Sequence, residues 1–322
     1  MSGRLQTSGF RPAWWLPGPH LQTLWPSLVR RRPRLALAWE RLELADGDFL
    51  DLAWGPPRPG PLILVIHGLE GNLDSHYAPT TLAALAAAGF QTLFMHLRGC
   101  GPQPNRLARR YHAGASEDLA AVIERVRQVR GAPPAGAVGF SLGGNLLLKY
   151  LGEQGGAAAL GAAVAVSVPF QLLDCARRLE QGLSRRYQAH LLARLRQAYR
   201  RKAAQVPMPL SPDLDRLDNF LDFDHQITAP LHGFAGVEDY YRRCSCRQFL
   251  PRIQVPTLIL HAQDDPFMYP DTVPGAGELG PGVTLELSRR GGHVGFVGGA
   301  LPGWGRYWLD QRIPDFFRGA GA

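Results

Sequence analysis

The sequence predicts an α/β fold with a mostly parallel central sheet flanked by helices. Short apolar runs alternate with amphipathic segments between residues 62 and 168, as is typical of β-α-β units. Connections of this kind are right-handed and place successive strands parallel in one sheet. The alternation stops after residue 168 and resumes at Val255, which indicates that a separate segment is inserted into the core.

The first 40 residues precede this alternation and are aromatic and basic. Trp14, Trp15 and the run His20–Trp25 are followed by four arginines between residues 30 and 34. No regular periodicity runs through this stretch. We therefore predict that residues 1–40 form an irregular N-terminal arm that packs on the core.

The core is predicted to comprise residues 41–169 and 251–322. It begins with a hairpin-like pair of strands around Asp46-Gly47, a dipeptide that favours tight turns. The alternating region and the pattern that resumes at Val255 supply the other elements. Strands are predicted at 41–44, 49–54, 62–66, 91–96, 137–140, 162–168, 255–261 and 283–287, and helices at 76–88, 116–130 and 142–152.

Residues 170–250 are predicted to form a helical cap inserted between two core strands. An arginine-rich helical pattern replaces the strand pattern there, with apolar side chains on one helix face. A segment inserted at this point would cover the carboxyl ends of the strands, so we expect it to build much of a substrate pocket. The apolar face consists of Tyr187, Leu191, Leu192, Leu195 and Tyr199.

Ser141 is the candidate nucleophile. It lies in Gly139-Phe140-Ser141-Leu142-Gly143, a G-x-S-x-G motif between an apolar strand and a helix. In this context the serine sits on a sharp turn with its hydroxyl exposed. Glycine is needed on both sides because a side chain there would collide with the neighbouring strand or helix.

A nucleophilic serine needs a base, and the base needs a group that orients it. With this motif the chain order is serine, acid, histidine. One downstream strand leads into Asp264 and Asp265, and the next leads into a glycine-rich loop that contains His293. We predict His293 as the general base. Asp265 is the preferred orienting acid because it lies further into its loop and Pro266 fixes it, and Asp264 is the alternative.

Backbone amides complete the predicted site. The segment His67-Gly68-Leu69-Glu70-Gly71 follows the first strand of the alternating region. We expect the amides of Leu69 and Leu142 to form an oxyanion hole, in which each donor is worth about 3 kcal/mol of transition-state stabilisation.

The sequence lacks the usual signatures of a metal site. The histidines form no H-E-x-x-H motif, the four cysteines form no C-x-x-C, and Cys244-Ser245-Cys246 is too tightly spaced for a zinc half-site. We predict no metal, and the chemistry of the three candidate residues needs no cofactor.

Cysteine usage and hydropathy predict a cytoplasmic protein. Four scattered cysteines suit a reducing compartment. No stretch approaches the ~18 apolar residues of a membrane span, and residues 1–10 lack the apolar region of a secretion signal. The oligomeric state is left open.

The net charge of +8 is unevenly distributed. Nine basic residues and one acid, Glu180, lie between Arg177 and Lys202. We favour a solvated helix face, which is the usual role of a charge run. The alternative is peripheral contact of this basic cap with an anionic membrane surface, or attraction of an acidic substrate. Nothing resembles a nucleic-acid-binding motif, so we expect no nucleic-acid partner.

Taken together, these motifs resemble the YheT-like branch of the α/β-hydrolase superfamily, and the resemblance covers nearly the whole chain. It implies the α/β-hydrolase fold and hydrolysis of carboxylic esters, with short- to medium-chain acyl groups or lipid esters such as acylglycerols as substrates. An acyltransferase that uses the same acyl-enzyme and a non-catalytic ligand-binding protein are the alternatives. The matching segments are His20–Pro26, His67–Gly71, Arg98–Gly101, Gly139–Asn145, Ile227–Phe234 with Tyr240-Tyr241, Asp264–Phe267 and Gly291–Phe296.

Overall fold

A nine-stranded sheet forms the centre of the molecule. The structure is a computed structural model and describes residues 3–321. Met1, Ser2 and Ala322, at the outer ends of the predicted arm and core, lie outside the described residues. The strands are β1 (Arg4–Thr7), β2 (Ala38–Glu43), β3 (Phe49–Trp54), β4 (Leu62–Ile66), β5 (Gln91–Met95), β6 (Gly136–Phe140), β7 (Ala162–Val166), β8 (Thr257–Ala262) and β9 (Val283–Ser288).

The sheet is parallel except where β3 joins it. Its strand order is β1-β9-β8-β7-β6-β4-β5-β3-β2. All pairings from β1 to β5 are parallel, whereas β3 runs antiparallel to both β5 and β2. The predicted fold class, a mostly parallel sheet, is therefore confirmed. The carboxyl ends of β4, β6, β8 and β9 consequently meet at one edge.

Strands β4, β6 and β7, at the centre of the sheet, are apolar at every position because both faces of the sheet are covered. In β4, Leu62, Leu64 and Ile66 pack into one apolar cluster, and Ile63 and Val65 pack into the cluster on the opposite face. Successive side chains of a strand point to opposite faces, so a strand buried on both sides shows a continuous apolar run and no alternation.

Helices cover both faces, three of them close to the positions that the sequence predicts and a fourth, α10 (Leu309–Gly319), without a corresponding prediction. Helices α2 (Ala78–Ala87) and α10 pack on one face. Helices α3 (Ser116–Arg130) and α4 (Leu142–Gln154) pack on the other. A two-stranded pair, β10 (Val297–Gly298) with β11 (Arg306–Tyr307), precedes α10.

The prediction that residues 1–40 are irregular is wrong for two segments. Strand β1 pairs in parallel with β9, and helix α1 spans Pro19–Val29. All four side chains of β1 are exposed, so this edge strand has no apolar run to reveal it. Helix α1 contains Pro26 and begins after Gly18, so it lacks the usual signature of a helix. Between them, the Phe10 ring lies 5.3 Å from that of Phe296.

Residues 170–250 form a set of helices that pack around a separate apolar cluster. We propose that these residues are the cap and that residues 41–169 and 251–322 are the core. The cluster also contacts Leu69 and Leu142 at the sheet edge. One turn, Asp224–Thr228, is a π-helix. The α-helices are α5 (Leu172–Leu179), α6 (Ser184–Ala203), α7 (Phe220–Phe223), α8 (Ala229–Leu231) and α9 (Val237–Cys244).

Candidate active site

Ser141 occupies the turn between β6 and α4. Its backbone has a φ of 51°, in the left-handed region that few non-glycine residues adopt. A Cβ atom on Gly139 would lie 2.4 Å from the carbonyl oxygen of Gly143, and one on Gly143 would lie 2.4 Å from that of His67. The two glycines are therefore required by close backbone packing, which holds the strained serine in place.

The structure brings the three candidate residues together. His293 Nε2 lies 3.0 Å from Ser141 Oγ, and His293 Nδ1 lies 2.8 Å from Asp265 Oδ2. The second carboxylate oxygen of Asp265 accepts the N–H of Phe267 at 2.9 Å. Because Asp265 accepts a hydrogen bond from the N–H at Nδ1, the lone pair of the neutral imidazole at Nε2 faces the serine hydroxyl.

Asp264, the alternative acid, has a different set of contacts. Its Oδ1 accepts the N–H groups of Gly291 and Gly292 at 2.8 and 3.0 Å. Burial raises the pKa of this carboxyl, although the two backbone hydrogen bonds act in the opposite direction. Asp264 thus holds the backbone of the histidine loop, while Asp265 contacts the imidazole itself.

The N-terminal segment also supports the histidine loop. The N–H of His293 donates to Thr23 Oγ1 at 2.9 Å. Gln22 holds the same loop at Val297. Its side chain accepts the N–H of Val297 at 2.8 Å and donates to the carbonyl of Val297 at 3.0 Å. Sequence reasoning gave neither residue a role. The only signal was the His20–Pro26 segment in the family resemblance.

Phe267 is a third residue whose role was missed. Its ring stacks on the His293 imidazole, with centroids 3.9 Å apart and planes 4° apart. The ring of Tyr187, from α6, lies 5.0 Å from Phe267. The stack limits rotation of the imidazole and covers one of its faces.

Leu69 and Leu142, the predicted oxyanion donors, flank Ser141. Among residues 3–321, no acceptor receives a hydrogen bond from the backbone N–H of either one. A Cβ atom on Gly68 would lie 3.1 Å from Ser141 Cβ, so the loop of Leu69 passes directly beside the serine. Both amides are free to bind a ligand.

The residue after Leu69 is held by a buried polar group. Glu70 has a φ of 49° and donates its N–H to the Tyr111 hydroxyl at 2.8 Å. That hydroxyl donates in turn to Glu70 Oε1 at 2.7 Å, and Arg110 bonds the same oxygen at 2.8 Å. These contacts fix the backbone that carries the Leu69 amide.

His67, which begins this loop, supports it through hydrogen bonds at both ring nitrogens. Its Nε2 accepts the N–H of Leu97 at 3.0 Å, so the proton is on Nδ1, which donates to the Gly68 carbonyl at 2.7 Å. Burial lowers the pKa of His67 to about 3. A histidine that stays neutral and is bonded at both nitrogens braces the loop and takes no part in proton transfer.

Comparison with known proteins places the chain in a family. A family model described as the alpha/beta hydrolase fold matches residues 61–300. The protein YheT of Escherichia coli (strain K12), whose name provisionally calls it an esterase, is 44% identical over 306 residues, which are 92% of this chain and 89% of YheT. This chain belongs to the YheT-like α/β-hydrolases.

More distant similarities agree with this membership. Phospholipase ABHD3 of Mus musculus is 28% identical over 309 residues, which cover 92% of this hydrolase and 75% of that protein. The solved structure of the Pyrococcus furiosus esterase Pf2001 in space group P21 matches with a TM-score of 0.57 at 15% identity, and the match covers 88% of this hydrolase and 93% of that chain. The structural match shows the fold alone.

The described part of this YheT-like hydrolase contains no group of three or more His, Cys, Asp or Glu side chains arranged to hold a metal ion. None of the helices within residues 3–321 has the length and apolar character needed to cross a membrane.

Two cavities meet at Ser141. The first, of about 110 Å³, extends under the cap and is lined mostly by apolar side chains. The second, of about 670 Å³, is bordered by α1, α6 and the loop after β4. Leu69, Ser141, Leu191 and Phe267 line both cavities, whereas His293 lines only the second.

Proposed function

We propose that this YheT-like hydrolase cleaves carboxylic esters, with Ser141 as nucleophile, His293 as general base and Asp265 as orienting acid. The observation that carries the proposal is the 3.0 Å contact between Ser141 Oγ and His293 Nε2 at the mouth of an apolar cavity. Serine, base and acid in hydrogen-bonded sequence are the parts that acyl transfer requires.

The reaction divides into two steps. Ser141 Oγ attacks the ester carbonyl while His293 Nε2 takes the hydroxyl proton, and the amides of Leu69 and Leu142 bind the oxyanion. The intermediate collapses as His293 returns the proton to the departing alcohol, which leaves an acyl-enzyme. Water then attacks the acyl carbon with His293 again as base, so the acid is released and Ser141 regains its proton.

The lining of the first cavity is suited to binding a hydrocarbon acyl group. Its walls are mostly leucine and aromatic side chains, and burial of each methylene there is worth about 0.8 kcal/mol. We infer that the substrates carry short- to medium-chain acyl groups or are lipid esters such as acylglycerols. The phospholipase and esterase names of the relatives support this substrate class.

We also propose a cytoplasmic location. All four cysteines, Cys100, Cys175, Cys244 and Cys246, are free thiols. Thiols that remain unpaired suit a reducing compartment.

The test is hydrolysis of p-nitrophenyl esters from acetate to palmitate by the wild type and by Ser141→Ala, with labelling by a fluorophosphonate probe. We expect turnover and labelling in the wild type and neither in the variant, with unchanged circular dichroism. An unlabelled wild type without turnover on any ester would contradict the proposal and favour a ligand-binding protein. Ester products formed with added alcohols would instead identify an acyltransferase.

A further inference from the structure

Helix α6 presents two different stripes to the two cavities. Leu191, Leu195 and Tyr199, spaced four residues apart, line the first cavity. Arg186, His190 and Arg194, at the same spacing, line the second. Residues four apart lie on one side of a helix, so one helix supplies an apolar wall to the first cavity and a cationic wall to the second, and Leu191 lies between them in the lining of both.

The cationic wall has little compensating charge within the molecule. Arg32, from the segment after α1, joins Arg186 and Arg194 at the second cavity, where Asp74 is the only carboxylate that residues 3–321 contribute to the lining. Among the described residues, none of the three arginines forms an ion pair. On the same helix, Arg196 and Arg200 pair with Asp218 and Asp215 outside the cavity.

The position of His293 indicates which part of the substrate lies in the second cavity. The base returns its proton to the departing alcohol, and its side chain lines the second cavity and not the first. An acyl chain in the apolar cavity therefore leaves the alcohol portion of the ester in the cationic one.

We propose that the second cavity binds the alcohol portion of the ester and selects alcohols that carry a phosphate group, through Arg186 and Arg194 with Arg32. This inference rests on the proposed esterase function. Guanidinium groups bind phosphate oxygens through paired, charge-assisted hydrogen bonds, and unpaired arginines lose no internal ion pair when they do so. The phosphate in question is that of the ester substrate itself, and the phosphate of a surrounding membrane surface is the competing source.

The test compares two esters that differ only in the phosphate, 1-octanoylglycerol and 1-octanoylglycerol 3-phosphate, both kept monomeric. In the wild type we expect kcat/KM for the phosphorylated ester to exceed that for the neutral ester by about tenfold or more. In Arg186→Gln/Arg194→Gln this ratio falls close to one. Arg185→Gln, an exposed position on the same helix outside both cavities, keeps the wild-type ratio.

Each outcome has a separate meaning. A wild-type ratio near one, or a ratio that survives in the double variant, overturns the assignment while hydrolysis of the neutral ester still supports the esterase. Failure to cleave either ester contradicts the proposed function itself. Competitive inhibition of neutral-ester hydrolysis by glycerol 3-phosphate, lost in the double variant, supports the site independently and does not require the phosphorylated ester to be cleaved.

A vesicle measurement distinguishes the two sources of phosphate. The same variants are assayed on the phosphorylated ester embedded in neutral phosphatidylcholine vesicles and in vesicles that contain phosphatidylglycerol. A preference seen with monomers and with neutral vesicles supports recognition of the substrate's own phosphate. An effect of the arginines confined to phosphatidylglycerol vesicles means that they contact the membrane surface, and it overturns the cavity assignment.

Discussion

The loops at the sheet edge and the helical cap both contact Ser141, but they are held in different ways. The loops are fixed by short hydrogen bonds from buried backbone and side chains, as at Asp264, Glu70 and Thr23. The cap reaches the site through the side chains of Tyr187 and Leu191. From this difference we infer that the core would set the geometry of the proposed reaction, while the cap would shape the space for the substrate.

The largest expected effect separates the two acids of the core. Asp265→Asn reverses the hydrogen bond to His293 and stabilises the wrong tautomer, so kcat should fall by about 10⁴-fold. Asp264→Asn keeps an oxygen that accepts the N–H groups of Gly291 and Gly292, and it should lower kcat far less. Steady-state kinetics on one p-nitrophenyl ester measures both. A larger loss in Asp264→Asn than in Asp265→Asn would reverse the assignment of the acid.

The second effect concerns the joint between core and cap. Asn145 is fully buried, donates to the carbonyls of Ala113 and Cys244 at 2.9 Å, and accepts the N–H of Cys246 at 2.9 Å. Asn145→Ala leaves these groups unpaired, which should lower the free energy of unfolding by about 2–4 kcal/mol.

Urea unfolding measures this loss, with Gln154→Ala, at the exposed end of the same helix, as the control. A change as small as that of the control would mean that the joint contributes little to stability.

The third effect tests the cap alone. Leu195 is buried in the wall of the first cavity. Leu195→Trp should shift the preferred acyl chain to shorter esters, with about a tenfold loss of kcat/KM for every two methylenes excluded. Leu195→Ala should shift the preference in the opposite direction. The nitrophenyl ester series measures both variants. If the preferred acyl chain length is unchanged in both, the acyl chain does not bind in this cavity.

The smallest effect is a pH dependence at the other end of α6. Lys202 is buried and donates to the carbonyls of Asn105 and Arg109. Burial lowers the pKa of Lys202 from 10.5 to about 7, with Arg110 and Arg98 acting in the same direction and Asp48 in the opposite one.

Between these two pKa values the unfolded chain binds the proton and the folded chain does not, so Lys202 makes the free energy of unfolding rise with pH. Its contribution is lost as the pH falls through about 7. Urea unfolding at pH 7 and pH 9 should therefore show the wild type gaining stability relative to Lys202→Met. A difference between the two proteins that is constant with pH would mean that Lys202 stays charged in the folded state.

Some of the site could be predicted from sequence because local rules determine it. The glycines around Ser141 reveal a tight turn, and the strands before Asp265 and His293 place both at the same sheet edge. Thr23 and Phe267 could not be predicted in this way, because their contacts with His293 arise only in the folded chain. Strand β1 was missed because an edge strand with exposed side chains carries no apolar pattern.

In the cap, periodicity predicted the helices but not the contacts of their individual side chains. Its helical character and the apolar face of α6 follow from helical periodicity. From the sequence, the whole run of basic residues between Arg177 and Lys202 was predicted to lie on a solvated helix face. Periodicity does not distinguish Arg194, which lines a cavity beside the serine, from Arg200, which pairs with Asp215.

The support of His293 by Thr23 has a consequence for the order in which the molecule is made. The two residues are 270 positions apart, and β1 likewise pairs with β9 near the other end of the chain. During translation, the segment that holds the histidine loop leaves the ribosome long before the loop does. The site therefore cannot assemble on a growing chain before β9 and His293 have been synthesised.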